Sequence, residues 1–399
     1  MPAHASALRT SWFHDEMTAW RRAIHESPEV RFDVSGTAAK VASLLVSFGV
    51  DVETGVGRTG VVGVLRRGNG KHSIGLRADM DALPIETHST TEYRSRVDGR
   101  HHGCGHDGHT AMLLGAAREL ALNGDFDGTV HFIFQPNEEE GLGAQAMIDD
   151  GLFERWSIDE VYGMHCVPGV PAGHFALRSG PMMAFEDDFV IHIRGRGGHA
   201  SAPNMTFDPM VPAAELVVAL QTVVSRSLSP MDGGVVSVTE FVTDGSRNVL
   251  PSTVTIRGDA RGFTAVVRET IERRIGEIVE GVCLAHGLDY SVDYSHEFDV
   301  TMNTPTETSH VAGAACSVVT EAAVDSNCAP NPASEDFARM LEQRPGCYVF
   351  IGNGTSGANG LPWHNPAFDF NDAILPTGAD YWVALTEGRL GHVDGPAVS

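Results

Sequence analysis

Hydrophobic and polar positions along this 399-residue chain change period several times, and each change marks an element. Residues 12–24 and 36–48 set apolar side chains at helical spacing and read as two amphipathic helices. Short β-rich runs at 60–65 and 73–76 read as strands, the second leading into an acidic turn at 77–84, Arg-Ala-Asp-Met-Asp-Ala-Leu-Pro. Met112, Leu113, Ala116, Ala117 and Leu120 recur at helical spacing within 110–122, and 128–134 is rich in β-branched and aromatic residues. Strands alternating with helices predict a mainly parallel α/β sheet.

The texture changes near Ala184. A strand at 189–193, a long helix at 209–228, strands at 235–242 and 252–261, a second long helix at 268–286 and a strand at 290–294 follow one another. That order is the order of a ferredoxin-like α+β unit. The expected fold is therefore α/β with two domains: a discontinuous α/β domain from 1–184 and 297–399, and an inserted unit at 185–296. The insert has about 110 residues, an ordinary size for a small domain. Helices at 308–323 and 335–341 and a buried strand at 347–351 complete the α/β part. No internal repeat or low-complexity tract is apparent.

Composition narrows the function. With 42% hydrophobic and 20% charged residues the chain is globular, and a formal charge of −24, from 52 acidic against 28 basic residues, repels nucleic-acid phosphate and anionic membranes. Neither is an expected partner. Residues 1–16 are polar where a signal peptide needs an apolar core, and no run reaches the ~18 apolar residues of a membrane span. The expected compartment is the cytoplasm. The six cysteines are scattered, unlike a disulfide framework, and most are expected to be reduced and buried.

Histidine carries more information, because several of the 19 sit in glycine-rich contexts beside Cys, Asp or Glu. Residues 101–109, His-His-Gly-Cys-Gly-His-Asp-Gly-His, open onto the helix predicted from Thr110. Cys104 and His106, two apart between glycines, can aim two soft donors at one place, and Asp107 or Asp81 can orient an imidazole from behind. The bland reading is a flexible loop with accidental histidines. After the strand ending at Phe134 come Glu138, Glu139 and Glu140, which repel one another unless cations neutralise them or water solvates them. Their place at the end of a parallel strand, where α/β folds build their sites, favours the cation. His165 ends a short apolar strand and His364 lies in a Pro-rich loop; either alone is more often structural. Together with Cys104, His106 and one Glu they make five ligands, enough for two divalent ions if a ligand or water bridges. Cys104 as a nucleophile with His106 or His109 as base is the competing chemistry, and nearby carboxylates oppose it by raising the thiol pKa.

From about Trp20 to Trp382 the chain resembles the metal-dependent amidohydrolases that include hippurate hydrolases, N-acyl amino acid deacylases and auxin-conjugate hydrolases, relatives of aminoacylase and carboxypeptidase G. The resemblance rests on eight motifs in order: 77–84, 104–109, 134–139, 163–165, 197–203, 248–251, 335–337, and 364–366 with 368–372. It implies a metallopeptidase-like catalytic domain and a lid and dimerisation insert. It also implies Cys104, His106, Glu139, His165 and His364 as ligands of two divalent ions, zinc or else manganese, cobalt or nickel. Glu138 becomes the general base, since reading the motif from either side selects Glu138 and Glu139 over Glu140. His199, in Gly-Gly-His, is implied to reach a neighbouring subunit's site and share the oxyanion, and Asn248 to contact substrate. Asp79, Asp81 and Asp107 are expected behind the ligands.

The implied reaction is amide hydrolysis of a small N-acyl amino acid by a homodimer or homotetramer. A metallo-dipeptidase or aminopeptidase, which would need a carboxylate for a free α-amine, is one alternative; a catalytically idle, metal-stabilised binding protein is the other. The chain departs from the family pattern at Gly103, Glu140, Ala333 and Trp363, the last placing an indole beside the expected pocket.

Overall fold

A computed structural model describes residues 8–392. The chain divides into two compact units, each of mixed helix and strand, in a two-domain α/β architecture. One comprises the residues up to Met182, Met302–Ala329 and those from Asp336 onward; the other comprises Met183–Thr301 and Pro330–Glu335. The second unit is thus wider than the 185–296 stretch. It includes Pro330–Glu335 because the Ala184 N–H donates to the Asn331 and Ala333 carbonyls, and Arg261 donates to the Pro332 carbonyl.

The first unit is built on an eight-stranded sheet of β1 (Asp51–Val56), β2 (Gly60–Arg67), β3 (Ser73–Asp79), β4 (Gly128–Gln135), β5 (Glu160–Pro168), β6 (Phe175–Ala176), β7 (Val324–Asp325) and β8 (Gly346–Gly354). Their spatial order is β1-β2-β4-β3-β5-β8-β6-β7. The four central strands, β4, β3, β5 and β8, are mutually parallel, whereas β2 runs antiparallel to β4 and β6 to β8. Every residue of β3 and β4 is buried, as expected of parallel strands covered on both faces. β1, which the pattern does not predict, is a mostly exposed edge strand with the polar sequence Asp-Val-Glu-Thr-Gly-Val.

Three helices matter for the site: α1 (His14–His25), α2 (Ser35–Ser47) and α3 (His106–Asn123). α3 packs against α1 and against the last helix, Leu375–Leu390. It begins at His106, four residues before the predicted start, because Gly105 takes φ +96° and turns the chain into the helix directly. His106 and His109 therefore share its first turn instead of lying in a loop. Gly108 lets the Phe370 ring come close: a Cβ there would lie 2.3 Å from ring carbons.

Other bounds also shift. The first helix is preceded by a 3₁₀ turn, Arg9–Phe13, the helix predicted at 308–323 ends at Val318, and that predicted at 335–341 is Ala338–Gln343. The 209–228 helix ends at Thr222 and continues as one π turn, Val223–Ser227.

The second unit has the ferredoxin-like order. Its antiparallel strands Phe185–Arg194, Gly234–Thr243, Thr253–Gly262 and Asp289–Phe298 lie in the spatial order second, third, first, fourth. Val267, Ile271, Ile275, Val279 and Cys283 form the buried stripe of helix Ala265–His286, which Thr264 caps by accepting from the Val267 N–H. Among the described residues no helix is long and apolar enough to cross a membrane.

Gly108→Ala is expected to lower stability by about 1–3 kcal/mol, because overpacking against Phe370 outweighs the helical advantage of alanine. Gly313, on helix Pro305–Val318, has nothing within 4 Å of where an added methyl group would sit, so Gly313→Ala should add about 0.5–1 kcal/mol. Thermal unfolding of the pair checks the contrast: equal shifts would remove the close approach at Gly108.

Candidate metal centre

The carboxyl ends of β3, β4 and β5 and the first turn of α3 all lie within the first unit, and they bring the chemistry together. His106 donates from Nδ1 to the Asp81 carbonyl at 2.8 Å, so its Nε2 is the free nitrogen. That atom lies 3.8 Å from a Glu138 oxygen, 3.8 Å from a Glu139 oxygen and 3.9 Å from Asp79. His165 donates from Nδ1 to the Cys166 carbonyl at 2.7 Å, leaving Nε2 turned to Cys104 Sγ at 3.3 Å. His364 Nε2 lies 3.3 Å from the second Glu139 oxygen. Five separate stretches thus meet.

Backbone geometry at β4's end explains how adjacent glutamates face one centre. Asn137 takes φ +51°, which folds the chain back, and the Glu138 and Glu139 N–H groups both donate to the Asp81 carboxylate at 3.0 and 3.3 Å. Glu140 turns away and pairs with Arg31 at 2.6 Å. Only the first two members of the Glu run therefore face His106. His364 also has a positive φ, +63°, and its N–H donates to the Gly103 carbonyl. A non-glycine residue held in that region is locally strained, and such strain gathers at functional sites.

Electrostatics in the cluster favours positive charge. Burial disfavours a charged His106, yet Asp79, Asp81 and Glu139 outweigh it and raise its pKa to about 10. Burial, then Glu139 and Glu138, push the Cys104 thiol well up, so no thiolate nucleophile is available unless a cation binds it. Burial and His109 push His165 well down, leaving a neutral imidazole suited to ligation. His106 Nε2 and Glu139 Oε1 are buried with no hydrogen-bond partner. Cys104 with His106 and His165, Cys104 with Glu139 and His364, and His106 with Glu138 and Glu139 each offer ligand atoms within 4.8 Å of one another. Thiol, imidazole and carboxylate donors converging on orphaned atoms fit divalent metal ions.

The carboxylates expected behind the ligands separate. Asp79 accepts from His109 and from Arg77, each at 2.7 Å, and Asp81 carries the His106 and Glu138 contacts given above. Asp107 instead points the other way and pairs with His25 at 2.7 Å and Arg21 at 3.3 Å, because residues 106 and 107 project from different sides of the α3 first turn. His109 uses both ring nitrogens, donating to Asp79 and accepting from the Cys166 N–H, and has none left for a metal. His101 and His102 are buried near His25, and burial lowers them to about 4 and 3.

Outside the predicted set, Trp363 reaches the cluster, and Arg21 and His25 reach Asp107 on the far side of the α3 first turn. Trp363 stands edge-on to His165, ring centroids 4.9 Å apart, and its indole N–H donates to the same Cys166 carbonyl at 2.9 Å. Arg21 and His25 lie on the buried face of α1 with Met17 and Ile24. Charged or polar residues four apart on an apolar stripe are the sequence signal that points to them.

His199 and Asn248 lie in the second unit. Gly198–His199 pairs with Val249–Leu250, and the Ala200 N–H donates to the Asn248 carbonyl, so both residues share one exposed corner. His199 Nδ1 accepts from the Ser201 N–H at 3.1 Å, which in the neutral ring leaves the proton on Nε2.

A family model described as peptidase family M20/M25/M40 matches residues 75–388. The hippurate hydrolase of Campylobacter jejuni is 40% identical over 92% of this chain and 94% of its own length. The N-acetyl-L-cysteine deacetylase of Bacillus subtilis is 36% identical over 97% of this chain and 91% of its own. Among solved structures, the YXEP protein of Bacillus subtilis, a dinuclear metal binding peptidase of the M20 family, aligns with a TM-score of 0.82 at 29% identity, covering 96% of this chain and 99% of that one. The chain belongs to the M20/M25/M40 peptidase family, and within it is an amidohydrolase.

Proposed function

We propose that the protein hydrolyses the amide bond of N-acyl amino acids with two divalent ions, releasing a carboxylic acid and a free amino acid. The observation that carries this reading is the convergence of the buried Cys104, His106, Glu138 and His165 with the partly buried Glu139 and the exposed His364. The names of the hippurate-hydrolysing and N-acetylcysteine-deacetylating relatives support the substrate class.

Cys104, His106, Glu139, His165 and His364 hold the ions, which when bound supply Lewis acidity and lower the pKa of water; zinc suits the donor set, and manganese, cobalt or nickel is compatible with it. Glu138 takes the proton of the attacking water and returns it to the departing amine. His199, contributed by the partner of a homodimer or by a homotetramer neighbour, donates from Nε2 to the oxyanion, and Asn248 beside it binds substrate. In this reading the second unit is a lid and dimerisation domain. Release of amine from benzoylglycine or N-acetylcysteine, but not from a free dipeptide, is the expected result; hydrolysis of the dipeptide alone would make the protein a dipeptidase.

Glu138→Gln should keep the metal but lose about 10²–10⁴-fold in kcat, since the amide cannot accept a proton. Metal loss in that variant would instead move the ligand role to Glu138. Cys104→Ser should weaken metal binding, because a hydroxyl is a poorer zinc ligand than a thiolate, and metal analysis after dialysis against a chelator reads this directly. His199→Ala should lower kcat by about 10²–10³ at unchanged metal content. Mixing it with Glu138→Gln under subunit exchange yields hybrid dimers with one intact site, expected to recover up to about half of wild-type activity. Exchange without recovery would rule out action across subunits.

A further inference from the structure

The proposed ligands fall into two groups by the elements that carry them. Cys104 and His106 stand at the start of α3, whereas His364 stands on the loop that runs on to the 3₁₀ turn Asp372–Ile374. Direct ties join the two stretches: the His101 ring meets the Phe368 carbonyl at 3.1 Å, and His109 stands edge-on to Phe370. The His364 N–H donates to the Gly103 carbonyl, and Phe370 packs on Gly108. A further connection passes through α1. Arg21, fully buried, lies 3.3 Å from Asp107, 3.1 Å from Asp369 and 2.7 Å from Asp372. Asp107 is the neighbour of His106 in sequence, and Asp369 and Asp372 belong to the stretch that carries His364.

We infer that Arg21 is a positioning residue of the metal centre, clamping the α3 end of the cluster to the His364 loop through one guanidinium. The inference rests on the two-ion reading given above. Its chemistry is that of a buried fork. Arginine presents several donors in a rigid plane, and here Nε serves Asp372 while Nη1 serves both Asp107 and Asp369. Neighbouring groups fix the same carboxylates from other sides. His25 donates to Asp107, the Tyr93 hydroxyl donates to Asp369 at 2.5 Å, and Arg22 donates to Asp372. The Tyr93 ring also covers the guanidinium, 4.6 Å from its carbon. Three carboxylates from two elements facing one buried cation cannot separate without leaving charge unpaired, so the α3 end and the loop move together.

His364 is the ligand that depends most on this. Its side chain is 56% exposed, against 11% for Glu139 beside it, so packing does little to hold it. Weakening the clamp should therefore cost the ion that His364 binds more than the ion held by buried ligands. Partners that orient ligands typically contribute about 10–100-fold in metal affinity.

The experiment is calorimetric titration of zinc into metal-free full-length protein for the wild type, His364→Ala, Arg21→Lys and Asp369→Ala. His364→Ala identifies the ion concerned. Arg21→Lys keeps the charge but cannot fork, and Asp369→Ala cuts only the loop arm and stands in if the first variant does not fold. Both are expected to weaken the His364-dependent ion by about 10–100-fold while leaving the other within about threefold. A merely structural role would weaken both ions together. That result, or two unchanged affinities in folded variants, overturns the inference. A wild type that binds a single ion would overturn the two-ion reading itself, and the inference with it.

Discussion

Four carboxylates crowd one buried imidazole. Asp79, Glu138 and Glu139 lie within 3.9 Å of His106 Nε2, and Asp81 within 3.6 Å of Nδ1, in a place where His106 and both aspartates are almost wholly out of water. Negative charge at that density is tolerable only with a cation in reach, since burial removes the solvent that would otherwise screen it. Arg77 answers part of the demand, pairing with Asp79 and Asp336. Under the proposed function the rest would be met by metal ions at the unpartnered His106 Nε2 and Glu139 Oε1, and a thiol such as Cys104 would become a ligand only in their company.

The fold creates this crowding by ordinary means. Parallel strands share one direction, so β3, β4 and β5 end on one side of the sheet and deliver Asp79, the Glu pair and His165 to the same side. Two left-handed residues complete the delivery: Gly105 starts α3 with His106 already inward, and Asn137 turns the Glu pair toward Asp81. Gly143 is needed just beyond, because a Cβ there would sit 1.6 Å from the Pro136 carbonyl oxygen and block that turn.

Much of this arrangement is legible in the amino-acid sequence. Alternation of strand and helix predicts the sheet, and the ferredoxin-like order of the second unit follows from element order alone, because both rest on hydrophobic period over many residues. The candidate ligands are visible because Cys, His and Glu cluster in short motifs. What the sequence hides is set by single backbone angles or by distant partners. The start of α3 depends on φ at Gly105, and a glycine-rich stretch reads as loop until that angle is known. Asp107 reads as one more acid among histidines; its turn toward Arg21 and His25 depends on α1, more than 80 residues earlier in the chain. The outward turn of Glu140 likewise depends on Arg31, itself at φ +60° in a short segment between helices.

The centre is lopsided in a way that bears on substrate. Cys104, His106 and His165 are buried, and Trp363 covers His165 further, whereas His364 is open to solvent. A substrate under the proposed reaction thus approaches from the His364 side, where ligand exchange costs least reorganisation. Trp363 precedes His364 in sequence yet packs on His165 and on Phe350, so the indole bridges the open and closed sides. The loop near His364 thus touches His165 through that ring and through the carbonyl the two side chains share. Under the proposed reaction, the residue that borders the open side therefore also contacts a candidate ligand on the closed side.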